Sequence, residues 1–429
     1  MKATARILFL TLLVYALPSL ALNGYVGCSS SDSADPFDLT SYAFGTGIDL
    51  LPWGNYPYDA TISPDGSEVW IPGASGDGVV VINRASGTVS HTIFVGEYPV
   101  SVAFSSDGLF ALVACRDGEG LWKVDTSTYS VTSITSLPTN YQGAGNIALD
   151  PVSGQFYVVD WYDELLFEMS NDGNTVLRQA DLGNSLWQLV VSPDGTVIYV
   201  TDRGTDQIRV IDRETLTQLE TWPVGDDPWG VDVSADGSML VVACEDSHEA
   251  WIIHTATGQS NSIILNSLAD PRDVDILDED GLAFLAGGSI TGADPIYVLS
   301  LSDEIIVGIL DAPGGNTNVI AVQAQMHGDG TDVVELPRVL NLSAYPNPFN
   351  PKTEIHFTLK RGGSVSLAVF DTTGRRQRRL ISASEMSAGD HSIVWDGRDD
   401  SGEKVVSGIY LLSLQSAELN EQRKLVLLK

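Results

Sequence analysis

The sequence predicts an all-β chain: a seven-bladed β-propeller followed by an Ig-like β-sandwich. Three observations support this expectation. One frame recurs six times between residues 54 and 337, at intervals of 41 to 46 residues. Each repeat divides into four short alternating runs around an Asp-Gly turn or its variant. The last ~90 residues leave the frame and carry about seven short alternating runs of their own.

The repeat is clearest where Trp229-Gly-Val-Asp-Val-Ser-Ala-Asp-Gly237 is laid over Trp187-Gln-Leu-Val-Val-Ser-Pro-Asp-Gly195. It recurs at Tyr58…Asp65-Gly66 and Val100…Asp107-Gly108, and more loosely at Gly145…Gly154 and Arg272…Gly281. The turn glycines are spaced 42, 46, 41, 42 and 44 residues apart. Asp-Gly between alternating apolar runs marks a hairpin, because glycine accepts the positive φ of the turn. In one unit, Val197–Thr201 follows the turn, Ile208–Asp212 makes a third strand and Leu219–Gly225 a fourth. Four strands per ~40–45 residues is the signature of a propeller blade. Full units start near 57, 98, 144, 186, 228 and 271. Residues 37–53 and 316–337 are expected to give two strands each to a shared seventh blade, which removes free sheet edges. Six blades is the alternative. The resulting divisions are a leader over 1–21, a linker over 22–36, the propeller over 37–337 and a tail module over 338–429.

Tyr199-Val-Thr-Asp202, Val210-Ile-Asp212, Pro223-Val-Gly225 and Pro228-Trp-Gly-Val231 resemble the YVTN-type β-propeller repeat, with Asp202 in place of its final Asn. The resemblance implies a fold similar to lactonase-like and quinoprotein-like propellers. The alignment also places Cys115 and Cys244 in one column of the second and fifth units, across the ring from each other. A disulfide needs Cα atoms within ~7 Å, so both thiols are expected to be free and partly buried.

In the tail, the Pro/Asn-rich stretch 342–351 cannot extend a central strand. Beyond it, Thr353–Leu359, Ser364–Asp371, His391–Trp395, Gly408–Leu414 and Lys424–Leu428 alternate as strands. Tyr345-Pro-Asn-Pro-Phe-Asn-Pro351, Phe370-Asp-Thr-Thr-Gly-Arg375, Trp395-Asp-Gly-Arg-Asp-Asp400, Ser407-Gly-Ile-Tyr410 and the closing Lys424-Leu-Val-Leu-Leu-Lys429 resemble the sorting domain of type IX secretion. That domain is itself similar to the Ig-like domain of flagellar hook-capping proteins. The resemblance implies export across an outer membrane, with the export machinery as the partner of 338–429, and then surface attachment or release. The cluster Arg375, Arg376, Arg378 and Arg379 is either a contact for that partner or a solvated turn.

The leader agrees with export. Lys2 and Arg6 precede an apolar run from Ile7 to Leu22, and Ser19-Leu20-Ala21 supplies small residues for cleavage. The run is short and broken by Pro18, so a membrane span is disfavoured. Val26-Gly27-Cys28 before a serine-rich stretch resembles a bacterial lipoprotein box, which leaves anchoring at Cys28 as the alternative to plain secretion.

Charge narrows the partners. The chain carries 56 acidic and 23 basic residues, a net of −33. Residues 338–429 hold 13 basic and 10 acidic residues; residues 1–337 hold 10 and 46. So acidic a body repels the phosphates of nucleic acid and anionic lipid surfaces. Its partner is expected to be a protein, a glycan or a small molecule.

A candidate site follows from the alignment. Residues that begin each first strand share one face of the ring with the loops that leave each second strand. Tyr58, Asp59, Trp187, Trp229, Arg272 and Asp273 come from the first set, and Arg116, Trp161 and Arg203 from the second. Aromatic rings among a few charges suit a sugar, a peptide or a small polar molecule. Catalytic signals are poor. The six histidines form no HxxH or HExxH pair, and no Gly-x-Ser-x-Gly elbow or phosphate-cradling loop is present. A lactonase-like hydrolase acting in the channel would have to draw on Glu245, His248 and Arg203. The quinoprotein reading lacks a cofactor-docking tryptophan motif. No cofactor is expected, calcium apart: 327–332 and 396–400 offer hard oxygen ligands without the EF-hand pattern.

Overall fold

The computed structural model describes residues 23–322 and 339–427, apart from 40–41, 118–119, 140–142, 184, 266–269, 279, 289–294, 313–316, 346–348, 360–362, 372–374, 388, 401 and 417–419. The leader and the acidic loop 327–332 lie outside the described residues. The described residues form strands and no helix.

Seven four-stranded antiparallel sheets make the propeller. Blades 1 to 6 occupy residues 61–94, 99–135, 147–181, 186–223, 228–264 and 270–311. Each is a meander whose first strand lines a central channel. The turn chemistry is the one the repeat encodes. In Ser63-Pro-Asp-Gly66, the Ser63 hydroxyl donates to Asp65 at 2.7 Å, Asp65 accepts the Ser67 amide at 3.0 Å, and Gly66 takes φ 70°. Ser105/Asp107, Ser192/Asp194 and Ser234/Asp236 repeat the hydroxyl bond at 2.7 Å. These serine and aspartate bonds offer the chain a turn in place of more strand.

The core is divided into seven layers, one at each blade-to-blade interface. Between blades 4 and 5, Val210 and Trp222 pack on Val231, Val242 and Cys244. Between blades 1 and 2, Trp70 and Val81 pack on Phe104 and Val113. Middle strands are thus covered on both faces, which is why they are nearly continuous apolar runs rather than strict alternations. Cys115 and Cys244 end the second strands of blades 2 and 5, fully buried and with no disulfide between them.

The closing blade differs from the expected two-plus-two sharing. Its channel strand is Thr317–Ala321, and Asn23–Cys28, Ser33–Asp38 and Ile48–Asp49 complete it, a one-plus-three closure. Two of its strands run through the stretch expected as a linker. The reason is steric as well as apolar. Tyr25, Val26 and Cys28 are fully buried. Gly24 lies under the Phe37 ring, and a Cβ on Gly27 would come within 2.6 Å of Val319 Cγ2. The glycines of Gly24-Tyr-Val-Gly-Cys28 therefore let neighbouring side chains cross a central strand. Past the third of these strands, the Tyr42 amide donates to Asp38 O at 2.8 Å and the Gly45 amide to Pro36 O at 2.8 Å, so no strand forms at the expected run 39–44 among its described residues.

The tail module is a sandwich. One sheet orders Val339–Tyr345, Thr353–Leu359 and Gly389–Trp395; the other orders Arg376–Met386, Gly363–Asp371, Gly408–Ser416 and Asn420–Leu427. Phe349, Phe357, Leu367, Trp395, Leu412 and Leu425 lie at its centre. The Tyr410 hydroxyl donates to Val406 O at 2.6 Å, and Trp395 Nε1 to Arg398 O at 3.0 Å. The arginine-rich stretch is part of a strand rather than a free turn. Arg378 donates to Asp399 O at 2.6 Å, and Arg376 lies 3.5 Å from Asp400.

One close approach in the ring gives a test. At Gly230 of blade 5, an added Cβ would stand 2.8 Å from both Arg272 O and Asp273 Cα of blade 6. Backbone cannot yield as a flexible side chain can. Gly230→Ala is expected to cost about 1–3 kcal/mol of stability, the usual size of overpacking, seen as a lower midpoint in chemical denaturation. An unchanged midpoint would show that blades 5 and 6 separate there freely.

Candidate functional site

The first strand of every blade is a sheet edge facing the channel, so its outward amides need partners from outside its own sheet. Side chains of the preceding blade supply them. Asp59 accepts the Val102 amide at 3.0 Å and the Ser101 hydroxyl at 2.9 Å. Asn146 accepts from Leu189 at 3.1 Å, Gln188 from Val231 at 2.9 Å and Asp273 from Ile320 at 2.9 Å. A second tier repeats this deeper in the channel, where Asp232 accepts from Ile276 at 2.8 Å and Asp275 from Val322 at 2.7 Å.

At one end of the channel, residues in left-handed backbone conformation build the mouth. Tyr56, Tyr98 and Asp227 hold φ of 59°, 59° and 57°. Their amides donate to Asp32, Asp77 and Asp206 of the blade before, at 3.0, 3.3 and 3.0 Å. Their carbonyls accept from the loops leaving the second strands: Ala74 at 3.1 Å, Arg116 at 2.9 Å and Glu245 at 2.9 Å. Each clasp fixes a mouth side chain and the loop beside it. Left-handed backbone costs a non-glycine residue roughly 1–2 kcal/mol, and here two tyrosines adopt it.

The mouth side chains form a continuous arc. Tyr58 touches Tyr56, Tyr98 and Trp161, with ring centroids 5.8, 5.9 and 5.8 Å away. Trp161 stacks on Trp187 at 4.0 Å and 3°, and Trp187 meets Trp229 at 4.5 Å. Trp161 is locked by donating from Nε1 to Trp187 O at 2.6 Å. Guanidinium groups cover the arc: Arg203 lies 4.4 Å from Trp187 and 4.3 Å from Trp229, Arg272 5.2 Å from Trp229 and Arg116 3.5 Å from Tyr98. Every one of these cations has an acid. Arg116 binds Asp117 through two bonds of 2.9 and 2.8 Å, Arg203 forks onto Asp227, and Arg272 binds Glu245 at 2.7 Å.

Six of the nine residues expected at the site, Tyr58, Trp161, Trp187, Trp229, Arg272 and Asp273, line one shallow depression of about 40 Å3 that opens to solvent. Its floor adds Asn146, Gln188 and Asn318. Arg116 and Arg203 stand behind the aromatic wall, where they orient rings and neutralise acids. Asp59 lines the deeper cavity beyond the floor instead. Tyr56 and Tyr98 were not foreseen, though they share a column with Asp227, two residues before the mouth column. Asn318 lies on the closing strand, which has no repeat signature to reveal it. The three residues offered for hydrolysis separate: Glu245 is held by Arg272, Arg203 reaches Glu245 only at 4.0 Å, and His248 sits 3.5 Å from Asp270. In the acidic loop 396–400, Asp396 lies 3.6 Å from Arg398, and Asp399 and Asp400 accept backbone amides. Among the described residues no three His, Cys, Asp or Glu side chains converge as metal ligands.

Comparison with known proteins agrees with this architecture. Residues 151–263 match the family model described as "Lactonase, 7-bladed beta-propeller", and residues 350–419 match "FlgD Ig-like domain". Among solved structures, the chain is similar to hydrazine synthase of Kuenenia stuttgartiensis, at 18% identity and TM-score 0.53 over 60% of this chain and 80% of that one. It is also similar to a functionally unknown protein from Desulfotomaculum acetoxidans, at 17% identity and TM-score 0.58 over 70% and 99%. At such identities the likeness is one of fold. A search of curated proteins finds no match.

The deeper cavity yields a pH prediction. It has a volume of about 450 Å3 and is lined by Asp59, Asp232, Asp273, Asp275 and Asp278 among others, with no basic side chain in its wall. Burial pushes Asp232 up to about 7, helped by the charge of Asp278, and pushes Asp273 up to about 8, helped by Asp59. Burial and the nearby Asp232 also raise Asp275. In the unfolded chain these groups ionise near 3.8. Between about pH 4 and 7 the folded state therefore binds more protons, and stability falls as pH rises, by up to ~1.4 kcal/mol per pH unit for each group. The carboxylates held low by turn hydroxyls, such as Asp172 at about 2, add no slope in that window. Thermal midpoints are expected to be higher at pH 5 than at pH 8, with a smaller difference in Asp275→Asn. A flat profile would contradict the buried-acid account.

Proposed function

We propose that the chain is an exported binding protein. Its propeller mouth holds an uncharged, oxygen-rich ligand such as a saccharide, and its C-terminal module directs export. One observation carries the ligand class: the hydrogen-bonding groups left over in the mouth can all donate, and two of the three can only donate. The Tyr58 hydroxyl, Trp187 Nε1 and Asn318 Nδ2 have no partner among the described residues and border the depression. Burial and the neighbouring tyrosines push Tyr58 up to about 12, so it keeps its proton. The acceptors around them are committed: Asp117, Asp227 and Glu245 to arginines, Asn146 and Gln188 to backbone amides, and Asn318 Oδ1 to Arg272 at 3.1 Å. A saccharide offers hydroxyl and ring oxygens to such donors and apolar ring faces to indoles.

The tail module supports the export half of the proposal through its sequence motifs and its Ig-like fold. Cys28 ends the central strand Asn23–Cys28, and cleavage before it, as anchoring requires, would remove the other five residues of that strand, which supports the secreted form over an anchored one. A lactonase-like hydrolase is the second reading. It rests on the family match over blades 3 to 5.

Trp187→Ala is expected to weaken binding to any ligand found on a glycan array at least tenfold, and Trp187→Ala with Trp229→Ala to abolish it; unchanged binding would reject the mouth. Turnover of a lactone or ester that is lost in Glu245→Gln would establish the hydrolase, whereas no turnover across a broad panel would sink it. Removal of 339–429 is expected to retain the propeller inside the cell envelope. Surface exposure of the truncated protein would refute the sorting role.

A further inference from the structure

The aromatic arc does not end at Tyr56. The segment just before it carries Leu51 and Trp53, and the end of the outermost strand of blade 1 carries Phe94. All three are exposed, Phe94 by 57%, Leu51 by 54% and Trp53 by 37%. Trp53 and Phe94 meet edge to face at 4.4 Å and 73°. Water-facing aromatic pairs of this kind gain little for the fold from burial, yet this one is firmly seated.

Blade 1 is cut away to receive the segment. Gly73 and Gly76 lie so close to the Trp53 carbonyl that neither tolerates a Cβ, and a Cβ on Gly78 would stand 3.2 Å from Trp53 Cβ. The Gly54 amide donates to Leu50 O at 2.7 Å, the Ala74 amide to Tyr56 O at 3.1 Å and the Ser75 amide to Asn55 O at 3.3 Å. These contacts hold Trp53 rigidly beside the mouth. Only Gly54 and Asn55 separate it from Tyr56, so their Cα atoms are at most about 11 Å apart. Pre-organised exposed rings beside a ligand depression are what a second subsite requires.

We propose that the Trp53–Phe94 ridge is a distal subsite of the mouth, and that the ligand is an extended neutral oligosaccharide running from the depression across Tyr56 onto the rim. This deepens the proposed function and rests on it. Saccharide fits better than peptide because a peptide brings fixed N–H donors, and the mouth acceptors are already committed to arginines and backbone amides. Buried donors without acceptors are costly. A sugar hydroxyl can turn its proton to solvent and accept from Tyr58, Trp187 or Asn318.

The test titrates the full secreted chain with neutral β-1,4-linked glucose and N-acetylglucosamine oligomers of one to six units. Wild type is expected to gain at least tenfold in affinity between two and six units. The Trp53→Ala, Phe94→Ala double variant should keep the affinity for short oligomers and lose that gain, and Trp53→Phe should restore most of it if Phe94 is present. Trp187→Ala should lose binding at every length. A length gain that survives in the double variant overturns the distal subsite and leaves the mouth intact. No binding of any oligomer by wild type overturns the mouth reading itself. Trp53-dependent binding of an unmodified peptide, without oligosaccharide binding, overturns the saccharide class.

Discussion

Everything in this propeller depends on how the channel-facing edge of each blade is satisfied. A ring of sheets places seven strand edges around one axis, and their outward amides need partners from outside their own sheet, which the blade before supplies. The chain meets this with side chains at one column of the repeat, Asp59, Asn146, Gln188 and Asp273, and with Asp232 and Asp275 one tier below. The bonds set the rotation of each blade against its neighbour. They therefore also set where the loops above the channel come to stand. The mouth is a consequence of this registration, because Tyr58, Trp187, Trp229 and Arg272 each immediately precede the residue of the capping column.

That solution has an electrostatic cost. Carboxylates accept amides well, but several of them around one enclosed space cannot all be ionised cheaply. The wall of the deeper cavity holds five acids and no base. The raised pKa values of Asp232 and Asp273 are the response: the groups keep protons that exposed aspartates would release. At Gly230 the capping column has no side chain at all. There the backbone of blade 6 comes so near that none would fit.

Most of the ring was legible in the sequence, because a blade is a local object. Its turns are written as Ser-x-Asp-Gly and its strands as apolar runs of five or six residues. The mouth column was legible for the same reason: alignment alone brings Trp187 over Trp229. That the closing blade is shared between the two ends of the propeller was legible too, but its one-plus-three division was not, since neither end carries the repeat. Gly24-Tyr-Val-Gly-Cys28 has the look of a processing site, and only the crossing of Phe37 and Val319 over its glycines shows why a central strand needs that pattern. Asn318 was hidden by the same break. Asp59 lines only the deeper cavity, whereas Asp273 of the same column borders both that cavity and the mouth.

The allocation of positive charge bears on what the mouth can hold. From residue 22 to 337 the chain has only eight basic side chains against 46 acids. Five of the eight serve the frame, as when Arg209 binds the buried Asp202 at 2.5 Å or Arg213 reaches Asp150 at 3.3 Å. The other three stand at the mouth, each against an aromatic ring and each paired with an acid. The result is a locally neutral, ring-lined surface within a strongly negative body. An anion approaching it is repelled by the field of the whole domain. A cation is drawn in by that field and then finds the mouth carboxylates occupied. A neutral ligand is indifferent to the field and meets free donors and apolar faces, so the charge distribution and the local hydrogen bonding select the same chemistry.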